Sequence, residues 1–104
     1  MTTEREREAL RLVRVSNRKL NEIRTGANES YHHQLAKKSL CQYFLAVGKN
    51  FITEAIFEKG GRADIFLLDD LTVVELLCTE SLENIEVKKK TYPTGLKFIA
   101  IQVT

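Results

Sequence analysis

The apolar positions of this chain follow two periods, and the change from one to the other divides it. Over residues 3–24 they recur at helical spacing: at about 100° per residue, Ala9, Leu10, Leu12, Val13, Leu20 and Ile23 gather on one broad side, interrupted by Ser16 and Asn17. No Gly or Pro breaks this run before Gly26, so a helix over 3–24 is predicted. A second stripe, Ala36, Leu40, Tyr43, Phe44 and Val47, predicts a helix over 28–48, capped by Asn28 or Thr25 and stopped at Gly48. Glu29 and His33 fall in the middle of that stripe, one turn apart. Either this end of the helix emerges from the core into solvent, or it emerges at a site.

Beyond Gly48 the period shortens. Residues 51–59 alternate loosely and predict a strand ended by Gly60-Gly61, and two apolar runs, 63–68 and 71–78, joined by Asp69-Asp70, predict a hairpin. A third helix is predicted from Ser81 to about Thr91, with Leu82, Ile85 and Tyr92 inward and Pro93 and Gly95 closing it. On that wheel Lys89 lies nearest the inner face, Lys88 at its edge, and Lys90 points away. Residues 96–103 predict a last strand. The expected order is helix, helix, three strands, helix, strand: one α/β domain over 1–104, with a basic amphipathic helix over 1–26 and a core over 28–104.

Within the hairpin, each strand carries one acidic residue, Asp64 in the first and Glu75 in the second. A carboxylate inside an apolar strand is costly to bury unless a proton, partner or cation compensates it. With a period of two the pair can project from one face, and two converging carboxylates are what a hard cation such as Mg²⁺ needs. Alternatively both sit on a solvated face of a half-exposed sheet.

Composition adds one feature. The net charge is only +2, but residues 1–24 hold seven Arg or Lys against four Glu, residues 25–80 five basic against eight acidic, and residues 81–104 four against two. A basic, acidic, basic order suits a partner with a phosphate backbone better than a neutral metabolite. Arg7, Arg11, Arg14 and Arg18 recur at spacings of four, three and four, forming a guanidinium row on the predicted first helix that either follows phosphates or is a solvated face laced to nearby Glu. Phosphate-loop and dinucleotide glycine fingerprints are absent, as are a nucleophile elbow and any CxxC. Cys41 and Cys78 are expected as two reduced, mostly buried thiols, and the lack of a long apolar run or a signal-like start predicts an intracellular protein, cytoplasmic or nucleoid-associated.

The order of elements, with HHQLAKKSLCQYFLAVGKNF, then GRADI, then VVELL, resembles the PD-(D/E)XK nuclease superfamily, the restriction-endonuclease-like fold shared with archaeal Holliday-junction resolvases. The resemblance covers residues 28–104. It implies an α-β-β-β-α-β core and a Mg²⁺-dependent DNA endonuclease, with Mn²⁺ as a possible substitute, in which Asp64, Glu75, the carbonyl of Leu76 and Glu29 hold the metal. The family's Lys two residues after the Glu is replaced by Leu77. The resemblance therefore passes the cationic role to Lys89, then Lys88, on the following helix, or else implies an inactive relative that binds or assembles on DNA. Arg62, beside Asp64 in GRADI, joins the four arginines as a DNA contact. A homodimer is expected because one site cuts one strand, with the apolar side of the first helix offered for pairing.

Overall fold

In the computed structural model, which describes residues 3–26, 29–77 and 82–103, a four-stranded mixed sheet carries apolar layers on both faces. Strands β1 (Phe51–Ile56), β2 (Arg62–Leu67) and β3 (Thr72–Leu77) form an antiparallel meander. Helix α3 (Leu82–Lys89) then leads to β4 (Lys97–Gln102), which pairs parallel to β3, so the spatial order is β1-β2-β3-β4. Helix α2 (Tyr31–Ala46) covers one face, placing Cys41 and Phe44 over Phe51, Ile65, Val74 and Leu76. Helix α1 (Glu4–Arg11) and the turn after α3 cover the other, placing Ala9 and Tyr92 against Ile52, Phe57, Phe66 and Val73. The class expected from the order of elements, α/β with helices on a short sheet, is what forms. Among the described residues no helix is long and apolar enough to cross a membrane.

The helix predicted over 3–24 forms only at its start. Its first turn is held by a capping box: the Thr3 hydroxyl accepts the Glu6 N–H and the Glu6 carboxylate accepts the Thr3 N–H. From Leu12 onward the chain turns extended, broken by a short 3₁₀ turn at Val15–Asn17, and lies along the outer edge of β1. Arg14 N–H donates to the Ile56 carbonyl (2.8 Å), Glu58 N–H to the Leu12 carbonyl (2.8 Å), and Asn21 N–H to the Phe51 carbonyl (2.8 Å). Asn17 Oδ1 accepts from Ile56 N–H and Asn21 Oδ1 from Phe51 N–H. Asn favours such side-chain bonds to backbone over a helix interior, and an open sheet edge supplies the partners.

Two expectations fall with that helix. Arg7 and Arg11 are exposed on α1, Arg14 is exposed beyond its end, and Arg18 is half-buried with Nε donating to the Val13 carbonyl, so the four arginines share no helix face. The apolar side offered for dimerisation is spent inside the fold: Ala9 and Val13 are fully buried, and Leu10, Leu12 and Leu20 pack against the same core. For α2 the cap is Ser30, whose Oγ accepts the His33 N–H, while Thr25 lies in the extended strap and Asn28 is outside the described residues. Ser81, the expected start of α3, and Cys78 are also outside them. Cys41 is a buried thiol, its pKa pushed up to about 11 by burial.

One irregularity in the meander positions the site. Ile52 and Ala55 both join the α1-side core, and so do Ala63 and Phe66 on the neighbouring strand, which strict alternation forbids. The phase slips at Glu54, whose φ of 51° is a left-handed conformation rare for Glu. The ladder runs from Thr53↔Ile65 to Ala55↔Ala63 without pairing Glu54 to Asp64, and both carboxylates reach side chains of α2.

Gly61 supports the far side of this region. Its φ is 87°, and a Cβ there would stand 2.7 Å from the Tyr92 ring. Gly61→Ala is expected to lower stability by about 1–3 kcal/mol, through strain and overpacking together. Urea denaturation measures it, and a loss below about 0.5 kcal/mol would show that Tyr92 moves aside freely.

Candidate functional site

Asp64 and Glu75 stand one step beyond the last β2–β3 ladder pair, Ile65↔Val74, where the strands cease to pair. Asp64 Oδ2 accepts the Leu76 N–H at 2.8 Å, so its carboxylate fills the gap the ladder leaves. From there it adjoins the Glu75 side chain, near enough that each carboxyl shifts the other's pKa. On the far side, Lys88 Nζ of α3 donates to Glu75 Oε2 at 3.0 Å, and the Tyr92 hydroxyl donates to Glu75 Oε1 while lying 2.9 Å from the Arg62 carbonyl oxygen. Glu75 is 1% exposed; Lys88, half in solvent, is its link to the outside.

On the α2 side the network continues. His33 Nε2 is 3.3 Å from Asp64 Oδ2, and its Nδ1 is 3.3 Å from Glu29 Oε2. That second contact is too poorly aligned for a hydrogen bond, leaving both atoms buried without one. Glu29 Oε1 pairs with the ammonium of Lys37, which also donates to the Arg24 carbonyl (3.1 Å) and lies 3.6 Å from Glu54 Oε2. Lys37 has no exposed surface at all. Seven ionisable side chains thus neighbour one another in series, from Glu54 through Lys37, Glu29, His33, Asp64 and Glu75 to Lys88.

The charges along this chain are set by burial against pairing. For Glu75, burial and then the neighbouring Asp64 charge raise the pKa to about 7. Burial also works against ionised Asp64, but the Leu76 N–H and the neighbouring Glu75 carboxyl outweigh it, and its pKa is lowered. Of the pair, Glu75 is therefore the carboxyl that keeps its proton toward neutrality, while Asp64 ionises first. Glu29 is likewise lowered, since the Lys37 ammonium more than offsets its burial.

A pH dependence follows from Glu75. Its folded pKa exceeds the unfolded value of about 4.3, so the folded state binds the extra proton and stability falls as pH rises from about 4.5 through 7. Asp64 acts oppositely, and only below the ordinary aspartate value of 3.8. Urea denaturation at pH 5 and pH 8 is expected to show wild type less stable at the higher pH by on the order of 1–3 kcal/mol, with Glu75→Gln losing most of that difference. An unchanged slope in Glu75→Gln would place the proton elsewhere.

Of the residues singled out from sequence, Asp64, Glu75 and Lys88 are brought together, with Leu76 meeting them through its backbone N–H. Lys89 is not: it is exposed, its ammonium 5.1 Å above the Phe98 ring. The inner stripe of this segment is Ile85, Lys88 and Tyr92. Tyr92 lies beyond the helix end at Lys89, so its place on an extended wheel misdirected the choice of lysine. Glu29 meets Lys37 and His33, and it is His33 that contacts Asp64. Arg62 is exposed two residues before Asp64 and meets Tyr92 through its carbonyl. Leu77 is buried.

Lys37, Glu54 and Tyr92 were missed as members of the network. For Lys37 a signal existed: it lies four residues after His33 and four before Cys41, inside the apolar stripe of α2.

Among the described residues no group of three or more His, Cys, Asp or Glu side chains is arranged to hold a metal ion. The two adjoining carboxylates nevertheless fit a cation that keeps most of its own water, because Mg²⁺ is commonly held by one or two carboxylates. Lys88 pairs with Glu75, and His33 lies beside Asp64. No family model, curated protein or solved structure matches the chain.

Proposed function

We propose that the chain is a Mg²⁺-dependent DNA endonuclease on a restriction-endonuclease-like α-β-β-β-α-β core. The observation that carries this reading is that Asp64 and Glu75 adjoin where β2 and β3 cease to pair, with Lys88 of α3 bonded to Glu75. In a soluble fold such a buried carboxylate pair is a liability unless it is used. Asp64, Glu75 and the carbonyl of Leu76 would hold the metal, which when bound supplies a more acidic water and a polarised phosphoryl oxygen. Mn²⁺ has similar ligand preferences and would substitute.

The chain's own groups do the remaining work. His33 and the Leu76 N–H fix the orientation of Asp64, and Tyr92 fixes Glu75. Lys88 supplies the positive charge that Leu77 does not, beside the phosphate where negative charge develops. Water adds to phosphorus, one P–O ester bond breaks, and the departing oxygen takes a proton, leaving a phosphate monoester and a hydroxyl. Arg7, Arg11, Arg14 and Arg62 are exposed and serve as phosphate contacts individually rather than as a row. Two copies acting together would cut both strands, through a surface other than the apolar side of α1.

A second reading is favoured by one observation: the position where the family carries Lys holds buried Leu77. In that reading the same cluster binds DNA or assembles on it without cutting. Incubation with branched, single-stranded and duplex DNA in Mg²⁺ or Mn²⁺ separates the two, with cleavage expected for wild type and none for Asp64→Ala. Cleavage surviving Asp64→Ala would overturn the nuclease reading, and binding without cleavage by wild type would favour the second.

A further inference from the structure

Ile23 and Thr25 of the extended strap, with Tyr31, Gln34, Leu35 and Lys38 of the first two turns of α2, enclose an open groove of about 360 Å³. Two of its walls are apolar side chains left in water: Tyr31 is 70% exposed and Leu35 44%. Neither belongs to the apolar layers that pack on the sheet, so the fold does not account for them. Among the described residues, Tyr31 and Lys38 are the ionisable side chains lining the groove, and no carboxylate lines it. An aromatic and aliphatic wall with a single ammonium suits a flat ring attached to an anion.

The groove is linked to the carboxylate network through the backbone of Glu29. Gln34 Nε2 donates to the Glu29 carbonyl at 3.0 Å, and His33, the residue before Gln34, contacts Asp64. His32 packs against Tyr31 at 5.9 Å between ring centroids and 66° between planes, which steadies the Tyr31 ring at the rim. The volume lies within the range of small-ligand sites and admits a base with its sugar.

We propose that this groove receives an unstacked nucleobase of the DNA strand entering the site, with Tyr31 and Leu35 as its stacking surface and Lys38 neutralising the adjoining phosphate. This rests on the endonuclease reading for its substrate. It deepens that reading by naming the class: DNA with unpaired nucleotides, single-stranded or at a branch, since a base stacked in a duplex does not reach a recess on α2.

The test is binding in EDTA, measured by fluorescence anisotropy with a labelled oligo(dT) of about 12 nucleotides and with a blunt duplex of equal length. Tyr31→Ala is expected to weaken single-strand binding about 5- to 150-fold, the range for one lost base stack, and to leave duplex binding within about twofold. Lys38→Ala is expected to lower the salt dependence of single-strand binding by about one phosphate contact. Both side chains are exposed, and unchanged urea midpoints verify the fold. An unaltered affinity in Tyr31→Ala, an equal loss on duplex and single strand, or no binding of oligo(dT) by wild type would each overturn the proposal. Because no metal is present, groove binding with no cleavage activity overturns the nuclease reading alone, and cleavage without a Tyr31 effect overturns the groove alone.

Discussion

Lys37→Ala is expected to cost about 3–5 kcal/mol of folding free energy, the range for removing one partner of a buried ion pair. Lys37 has no exposed surface, and its ammonium is held by the Glu29 carboxylate, the Arg24 carbonyl and, more distantly, the Glu54 carboxylate. Deleting it leaves two carboxylates, at 11% and 15% side-chain exposure, facing one another across the space it filled. A domain of this size has only about 5–15 kcal/mol in total, so the variant would be marginal at room temperature. Urea denaturation supplies the measurement.

Lys37→Met separates charge from volume, because it retains most of the side chain and loses the ammonium. It should lose nearly as much, and Glu29→Gln combined with it should recover part of the loss, since the pair is coupled. A loss below about 1 kcal/mol in Lys37→Met would mean that water replaces the ammonium and that the ion pair matters little.

On the proposed reaction, Lys88→Ala is expected to lower kcat about 10²- to 10³-fold, as removal of one charge-stabilising donor does elsewhere, while Lys89→Ala remains within about threefold of wild type. The contrast comes from geometry: Lys88 reaches Glu75 Oε2 at 3.0 Å, and Lys89 is held over Phe98. Because Lys88 also compensates Glu75, the comparison should be made at saturating Mg²⁺ and over a range of pH. A shift of the pH profile with full activity at its new optimum would make Lys88 a positioning residue. Equal losses in the two variants would remove the distinction on which the site is built.

The hairpin, the helix α2, the final strand and the α/β class were legible in the sequence because each follows from local periodicity and from the glycines beside it. The buried face of α2 was not: Tyr43 and Val47 of the expected stripe are exposed, and Lys37, Cys41 and Phe44 are the buried residues, because the helix turns toward the sheet the side that also carries the Lys37 ion pair. The sequence also allowed Asp64 and Glu75 to lie on one side of the hairpin, as a register with Ile65 opposite Val74 brings about, but left a solvated face open as the alternative. The extent of α1 was not legible. Residues 12–24 have helical apolar spacing, but Asn17, Asn21 and the bare edge of β1 offer the backbone partners a helix does not, and the edge wins.

The sequence by itself determined that two acidic residues would lie inside apolar strands and that the Lys expected after the second would be missing. Only the tertiary structure decided what compensates them. A buried charge is tolerated where separate segments supply its partners together: the Arg24 carbonyl, Glu29 and Glu54 around Lys37, and Asp64, Lys88 and Tyr92 around Glu75. No spacing along the chain encodes those meetings, because they arise from a left-handed residue in β1 and from where α3 ends.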